Sequence, residues 1–199
     1  MLFAHDTEVS LVAAAALINT SGSEELLPDP AALDAFLAPW TWTGKRTHDE
    51  EEVSAVRALR PKLRQVWGAG EDEAVDLVNA MLRESPALPQ LVKHDGWDYH
   101  MHATTPDADL HVRMQVEFAM AMLDVIRMKE LDRLRFCAAD DCNDVVIDLS
   151  KNRSRRFCEN GCGNRTNAAA YRARKADALA RSARPRTPSK AAASRAEDE

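Results

Sequence analysis

Cysteine is missing from the first 136 residues of this 199-residue chain and from the last 37. Long apolar runs are missing as well. Nothing in the sequence approaches the roughly 18 residues that a membrane-spanning helix needs, so no membrane partner is expected. The opening MLFAHDTEVS has no basic region ahead of an apolar stretch, and the apolar run at 11–18 is short and preceded by acids. Both features argue against a secretory leader, and the expectation is a cytoplasmic protein. The sequence also has no phosphate-binding glycine loop, no dinucleotide fingerprint and no serine elbow. Enzyme chemistry is therefore not expected.

Other features are present in strength. Hydrophobic residues make up 45% of the chain, enough for a real core. Charge is distributed unevenly. Residues 1–150 carry 13 Lys and Arg against 27 Asp and Glu, whereas 151–190 carry 12 against only Glu159 and Asp177. A net acidic composition thus conceals a basic C-terminal block, the pattern of a surface for a polyanion. Beyond about residue 176 the alanine, arginine, serine and proline composition reads as a fraying helix and then a disordered tail.

Period analysis predicts helices over most of the first 135 residues. Ser10 is placed to cap a helix over 11–18, and Asp29-Pro30 to start one over 31–38. Val53, Val56, Leu59, Leu63 and Val66 form a helical stripe beginning near His48, with Pro61 expected to kink or split it. A further helix is predicted over 71–84. Asp95-Gly96 suggests a two-residue turn joining strands at 90–94 and 97–103. Leu110, Met114, Phe118, Ala121, Val125, Met128, Leu131 and Leu134 then recur at helical spacing without Gly or Pro. That stripe predicts one long helix over 109–135, delivering the chain directly to Cys137. Met114, Met120, Met122 and Met128 on it read as ordinary core.

The four cysteines have the pattern C-x4-C-x15-C-x3-C: Cys137, Cys142, Cys158 and Cys162. Two cysteine pairs separated by a hairpin's length of chain match a tetrathiolate zinc site. Disulfides, disfavoured where thiols stay reduced, and unligated thiols are the alternatives. Four thiolates leave no open position for water, so one structural Zn²⁺ is expected rather than a catalytic one. Val145-Val146-Ile147 reads as a strand, Ser150-Lys151-Asn152 as a turn, and Arg155-Arg156-Phe157 as the return to Cys158. A helix over 166–175 follows, with Tyr171 as its packing residue.

Cys162-Gly163-Asn164-Arg165, with CAADDCNDVVIDLSKNRSRRFC before it, resembles the CGNR zinc finger of bacterial proteins. The resemblance includes both cysteine pairs, Asp148-x-Ser150, Arg155-Arg156 and the basic run after the signature. Asn167 departs from it, where a basic residue is common. The upstream part is similar to the ABATE domain, a stress-induced transcription regulator, on the strength of Ile18-Asn19-Thr20, the helical order and the Trp97 hairpin. These resemblances imply a mainly α protein: an ABATE-like helical domain at 1–135 with one β-hairpin, a small treble-clef-like zinc finger at 136–176, and a tail at 177–199. They imply a stress-response transcription regulator that binds nucleic acid, duplex DNA in the first instance. Arg153, Arg155, Arg156, Arg165, Arg172 and Arg174 are the expected phosphate or base contacts, and the helical domain is expected to sense a small-molecule effector or to form a homodimer. Two other readings are a protein-interaction module, whose basic block docks on an acidic surface, and a thiol-based redox sensor. His100 and His102 share one face of a strand; with His94, His111 or Asp98 they could form a second metal site, but an exposed hairpin face is the plainer reading.

Overall fold

The structure, a computed structural model, describes residues 2–182 except 23, 41, 86, 94 and 95, and not the side chains of 180–182. The expected turn residue Asp95, the candidate ligand His94 and most of the expected tail lie outside the described residues.

The alanine-rich start forms α1, His5–Asn19, which begins earlier than Ser10 suggested. Ser10, expected to cap the helix start, therefore lies inside the helix, and Glu8 serves the start instead. Its carboxylate accepts the backbone N–H groups of Leu2 and Phe3 at 2.7 and 3.1 Å, tying the chain entry to the first turn. In α2, Pro30–Leu37, Asp29 caps through Ala32 N–H at 2.8 Å, and Pro30 takes a position whose missing N–H is not needed. Helix α3, Glu50–Gly68, runs through Pro61 as a single element. Pro61 is exposed, on the side where water can replace the lost hydrogen bond. Helix α4 spans Glu71–Glu84, as its period predicted.

Strands β1, Gln90–Val92, and β2, His100–His102, form an antiparallel pair with Leu91 opposite Met101. This register corrects the expected two-residue turn. Pairing Gln90 with His102 centres the connection on Gly96 (φ +81°), and the last pair, Val92 with His100, leaves more than two residues between the strands.

Helix α5 spans only Leu110–Arg127, not 109–135. Lys129 adopts φ +58°, its N–H reaches the Ile126 carbonyl, and the Glu130 N–H reaches the Val125 carbonyl at 2.9 Å. This is a left-handed helix stop without the usual glycine, so no residue type marked it. A short 3-10 helix, Leu131–Arg133, follows, and then β3, Leu134–Phe136. Strand β3 pairs with β4, Val145–Ile147, Leu134 lying opposite Ile147. The predicted strand at 145–147 is therefore present, but its partner precedes the first cysteine pair instead of following it. The last helix, α6, spans Cys162–Ser182 and overruns the predicted 166–175 at both ends.

Helices α1, α3, α4 and α5 enclose one core in which Leu11, Leu17, Leu63, Phe118 and Met122 are fully buried. Each such side chain stabilises the fold by about 1.5–3 kcal/mol. The Trp67 ring stacks on Phe118, with centroids 5.7 Å apart. Met114 and Met122 are core as expected, but Met128 is exposed.

Candidate zinc centre and nucleic-acid surface

Strand alternation builds the junction between the core and the cysteines. Val145 and Ile147 of β4 enter the helical core, while Val146 between them packs with Cys137, Ala139 and Cys162. Successive residues of a strand point to opposite faces, so one short strand serves both units. Side chains fasten the seam. The Asn19 amide bonds both N–H and carbonyl of Val145, at 2.8 and 2.9 Å. Trp67 Nε1 donates to the Val146 carbonyl at 3.2 Å, and Arg64 donates to the Asn143 carbonyl at 2.5 Å.

The sulfur atoms of Cys137, Cys142, Cys158 and Cys162 all lie within 4.8 Å of one another. Cys142 and Cys158 are 3.8 Å apart, and Cys158 and Cys162 3.4 Å. A tetrahedron with Zn–S bonds of about 2.3 Å has edges of about 3.8 Å, so the four sulfurs fit one zinc ion. None is in a disulfide. As thiols, Cys142 and Cys158 are held against ionisation: burial pushes Cys142 up to about 11 and Cys158 higher still. Cys137 moves the other way, because N–H groups of Cys158 and Ala139 outweigh its burial. A bound cation would supply the charge that lets all four ionise together.

Two glycines, one just before α6 and one in its first turn, shape the entry to the helix. Gly161 has φ +74°, a conformation that costs most residues strain. At Gly163 an added Cβ would lie 3.3 Å from the Phe157 ring, which packs over that position. Asp148, fully buried, anchors the intervening loop. Its carboxylate accepts Ser150 N–H, Ser150 hydroxyl and Arg155 N–H at 2.9, 2.5 and 2.9 Å, and Arg135 stands 3.2 Å away. These bonds, with Ser150, hold the carboxyl below its usual range despite the burial.

The six arginines expected to contact nucleic acid divide into two groups. Arg153, itself exposed, is ion-paired with Asp132 and Glu130, at 2.7 and 2.9 Å. Arg155 pairs with Glu159 at 2.8 Å. Arg165 donates to the Cys162 sulfur at 3.0 Å and to the Asn160 carbonyl at 2.9 Å. Arg156 is exposed over the Phe157 ring, and Arg172 and Arg174 are exposed on α6. Tyr171, expected to pack, is 61% exposed. Every residue of α6 from 164 to 179 is exposed, so along this stretch the helix projects from the zinc centre.

His100 and His102 face each other, Nε2 to Nε2 at 3.1 Å, and His100 Nδ1 lies 2.8 Å from the Asp98 carbonyl. Among the described residues the cysteines are the only group of three or more side chains placed to hold a metal. Sequence reasoning named Asn19 only within the ABATE resemblance and passed over Arg64 and Trp67; these are the side chains that lock the finger onto the helices, and no spacing marks that role.

Comparison with known families gives two matches. A family described as "Putative stress-induced transcription regulator", ABATE, matches residues 11–129, and the CGNR zinc finger matches residues 133–175. A comparison with curated proteins found no match. Among the described residues no helix is long and apolar enough to cross a membrane.

Proposed function

The chain belongs to the ABATE family and carries a CGNR zinc finger, and from that premise we propose that this zinc-binding regulator contacts duplex DNA through α6 and the exposed edge of its finger. The observation that carries the reading is the geometry of α6. It is a helix of 21 residues, fastened at Cys162, exposed from 164 to 179, and furnished with Arg172, Arg174 and Lys175. Such a helix is about 30 Å long, and the major groove of DNA admits an α-helix. Arg156 extends the same basic surface beside the second cysteine pair.

The remaining arginines have a different role in this reading. Arg153, Arg155 and Arg165 brace the finger, so fewer phosphates are contacted than the sequence count suggests. With about three of the exposed cations engaged, log affinity should fall against log salt with a slope of about −3. The strongly acidic helical domain repels the polyanion and confines contact to the projecting end.

Fluorescence anisotropy with random-sequence duplex DNA, on zinc-loaded protein across a salt series, tests the proposal. Binding with that slope supports it. No binding at low salt defeats it and favours the reading in which the basic block docks on an acidic protein surface.

A further inference from the structure

A cavity of about 540 Å³ opens in the helical domain between α1, α5, the segment around residues 40–44 and the β1–β2 hairpin. Its volume lies within the range of small-molecule sites. Trp40, Trp42, Trp97 and Met120 give it an aromatic and apolar wall. Arg113 of α5 also lines it and is 4% exposed.

Arg113 is an unusual residue to find in that wall. One terminal nitrogen donates to the carbonyls of Lys45 and Ala108. Its Nε and Nη2 are buried and have no partner, and the same holds for Trp42 Nε1. Among the described residues no carboxylate stands within ion-pair distance of the guanidinium. A buried cation without a counter-ion, and buried N–H groups without acceptors, are each costly. The nearby acids do not supply what is missing. Asp6 is engaged with the N–H groups of Thr7 and Met101, at 3.0 and 3.1 Å. Glu117 lines the cavity, but burial pushes its carboxyl up to about 7, against the pull of Arg113.

We propose that this cavity binds a small organic carboxylate with an apolar or aromatic body, its carboxylate held by Arg113 and the Trp42 indole N–H. The guanidinium provides the charge and a planar donor fork, the indole a further donor, and the tryptophan walls take the apolar body. The site lies in the part of the chain matched by ABATE, so the proposal gives the chemistry of an effector for the regulator proposed above. It rests on that reading only for the ligand's role, not for its binding.

The test is isothermal titration of zinc-loaded full-length protein, without DNA, with 4-phenylbutyrate, 4-phenylbutyramide and 4-phenylbutylamine. These three probes share one body and differ in head-group charge. The carboxylate is expected to bind saturably and to quench tryptophan emission, with the amide and the amine at least about tenfold weaker. Trp42→Phe keeps the ring and removes the N–H, and should weaken the carboxylate several-fold without moving the amine. Arg113→Gln should abolish the preference for the carboxylate. If that variant fails to fold, the head-group series and Trp42→Phe still decide. Equal or tighter binding of the amine, an unchanged carboxylate affinity in Trp42→Phe, or no saturable binding of the carboxylate overturns the proposal. DNA enters none of these measurements, so a failure here is distinct from a failure of the DNA reading.

Discussion

Arg165 shows how one residue changes role once its neighbours are known. In the sequence it is one more cation of a basic run. In the structure its two terminal nitrogens are occupied by the Cys162 sulfur and the Asn160 carbonyl. N–H donors to a metal thiolate disperse its charge and fix its orientation. Arg165→Ala is therefore expected to speed zinc release to a chromogenic chelator by about tenfold or more, and to leave the salt slope of DNA binding unchanged. Arg165→Lys, which has a point charge and no fork, should fall between. A slope that drops by about one unit, with zinc release unaltered, would return Arg165 to the DNA surface. The residue two places earlier has a steric role: at Gly163 a methyl group would meet the Phe157 ring at 3.3 Å. Gly163→Ala should loosen that contact and speed zinc release.

Among the elements, α6 carries the functional claim. Arg172 and Arg174 are two residues apart, so they point about 200° apart around the helix and cannot both face one groove wall. One alanine substitution of the pair should lower DNA affinity and reduce the salt slope by about one, and the other should do much less. Tyr171→Ala should leave stability within about 0.5 kcal/mol, since the ring is largely exposed; a larger loss in thermal unfolding would mean that α6 packs on something. Helix α5 makes the opposite prediction. Its buried face runs from Leu110 through Val125, so in hydrogen exchange 110–127 should be the best-protected segment, with protection falling at the Lys129 stop. Equal protection through residue 135 would contradict the observed helix end.

The whole molecule unites two cores through β4, because Val145 and Ile147 pack with the helices and Val146 with the cysteines. Zinc removal should therefore disorder the loops around the cysteines and also lower the melting temperature of the helical part. Trp67, bonded to the Val146 carbonyl, should report it as an emission change on adding chelator. A helical domain that melts at the same temperature with and without zinc would show the units to be independent. The pH dependence follows from Glu117, whose carboxyl is raised from 4.5 to about 7 by burial. The folded protein then holds a proton that the unfolded chain releases, so stability is highest below about pH 4.5 on this group's account. It falls as pH rises to about 7, by at most about 3 kcal/mol. Glu117→Gln should flatten that part of the stability curve measured by urea unfolding; an unchanged curve would show that the group titrates normally.

Local patterns in the chain determined much of this. The helical stripes, the Asp29 and Pro30 helix start and the four-cysteine spacing are short-range signals, and each depends on residues close in sequence. The zinc centre was legible for that reason, because metal geometry constrains ligand spacing directly. The end of α5 was not, since Lys129 in a left-handed conformation carries no residue-type mark. Nor was the β3–β4 pairing, which joins three residues before the first cysteine to three after the second. The division of the arginines into braces and outward-projecting cations, and the gathering of Trp42, Arg113 and Glu117 around one cavity, were decided only by tertiary structure. Charge and periodicity record what a residue is and which face it shares; which acid, sulfur or empty space it meets depends on contacts from distant parts of the chain.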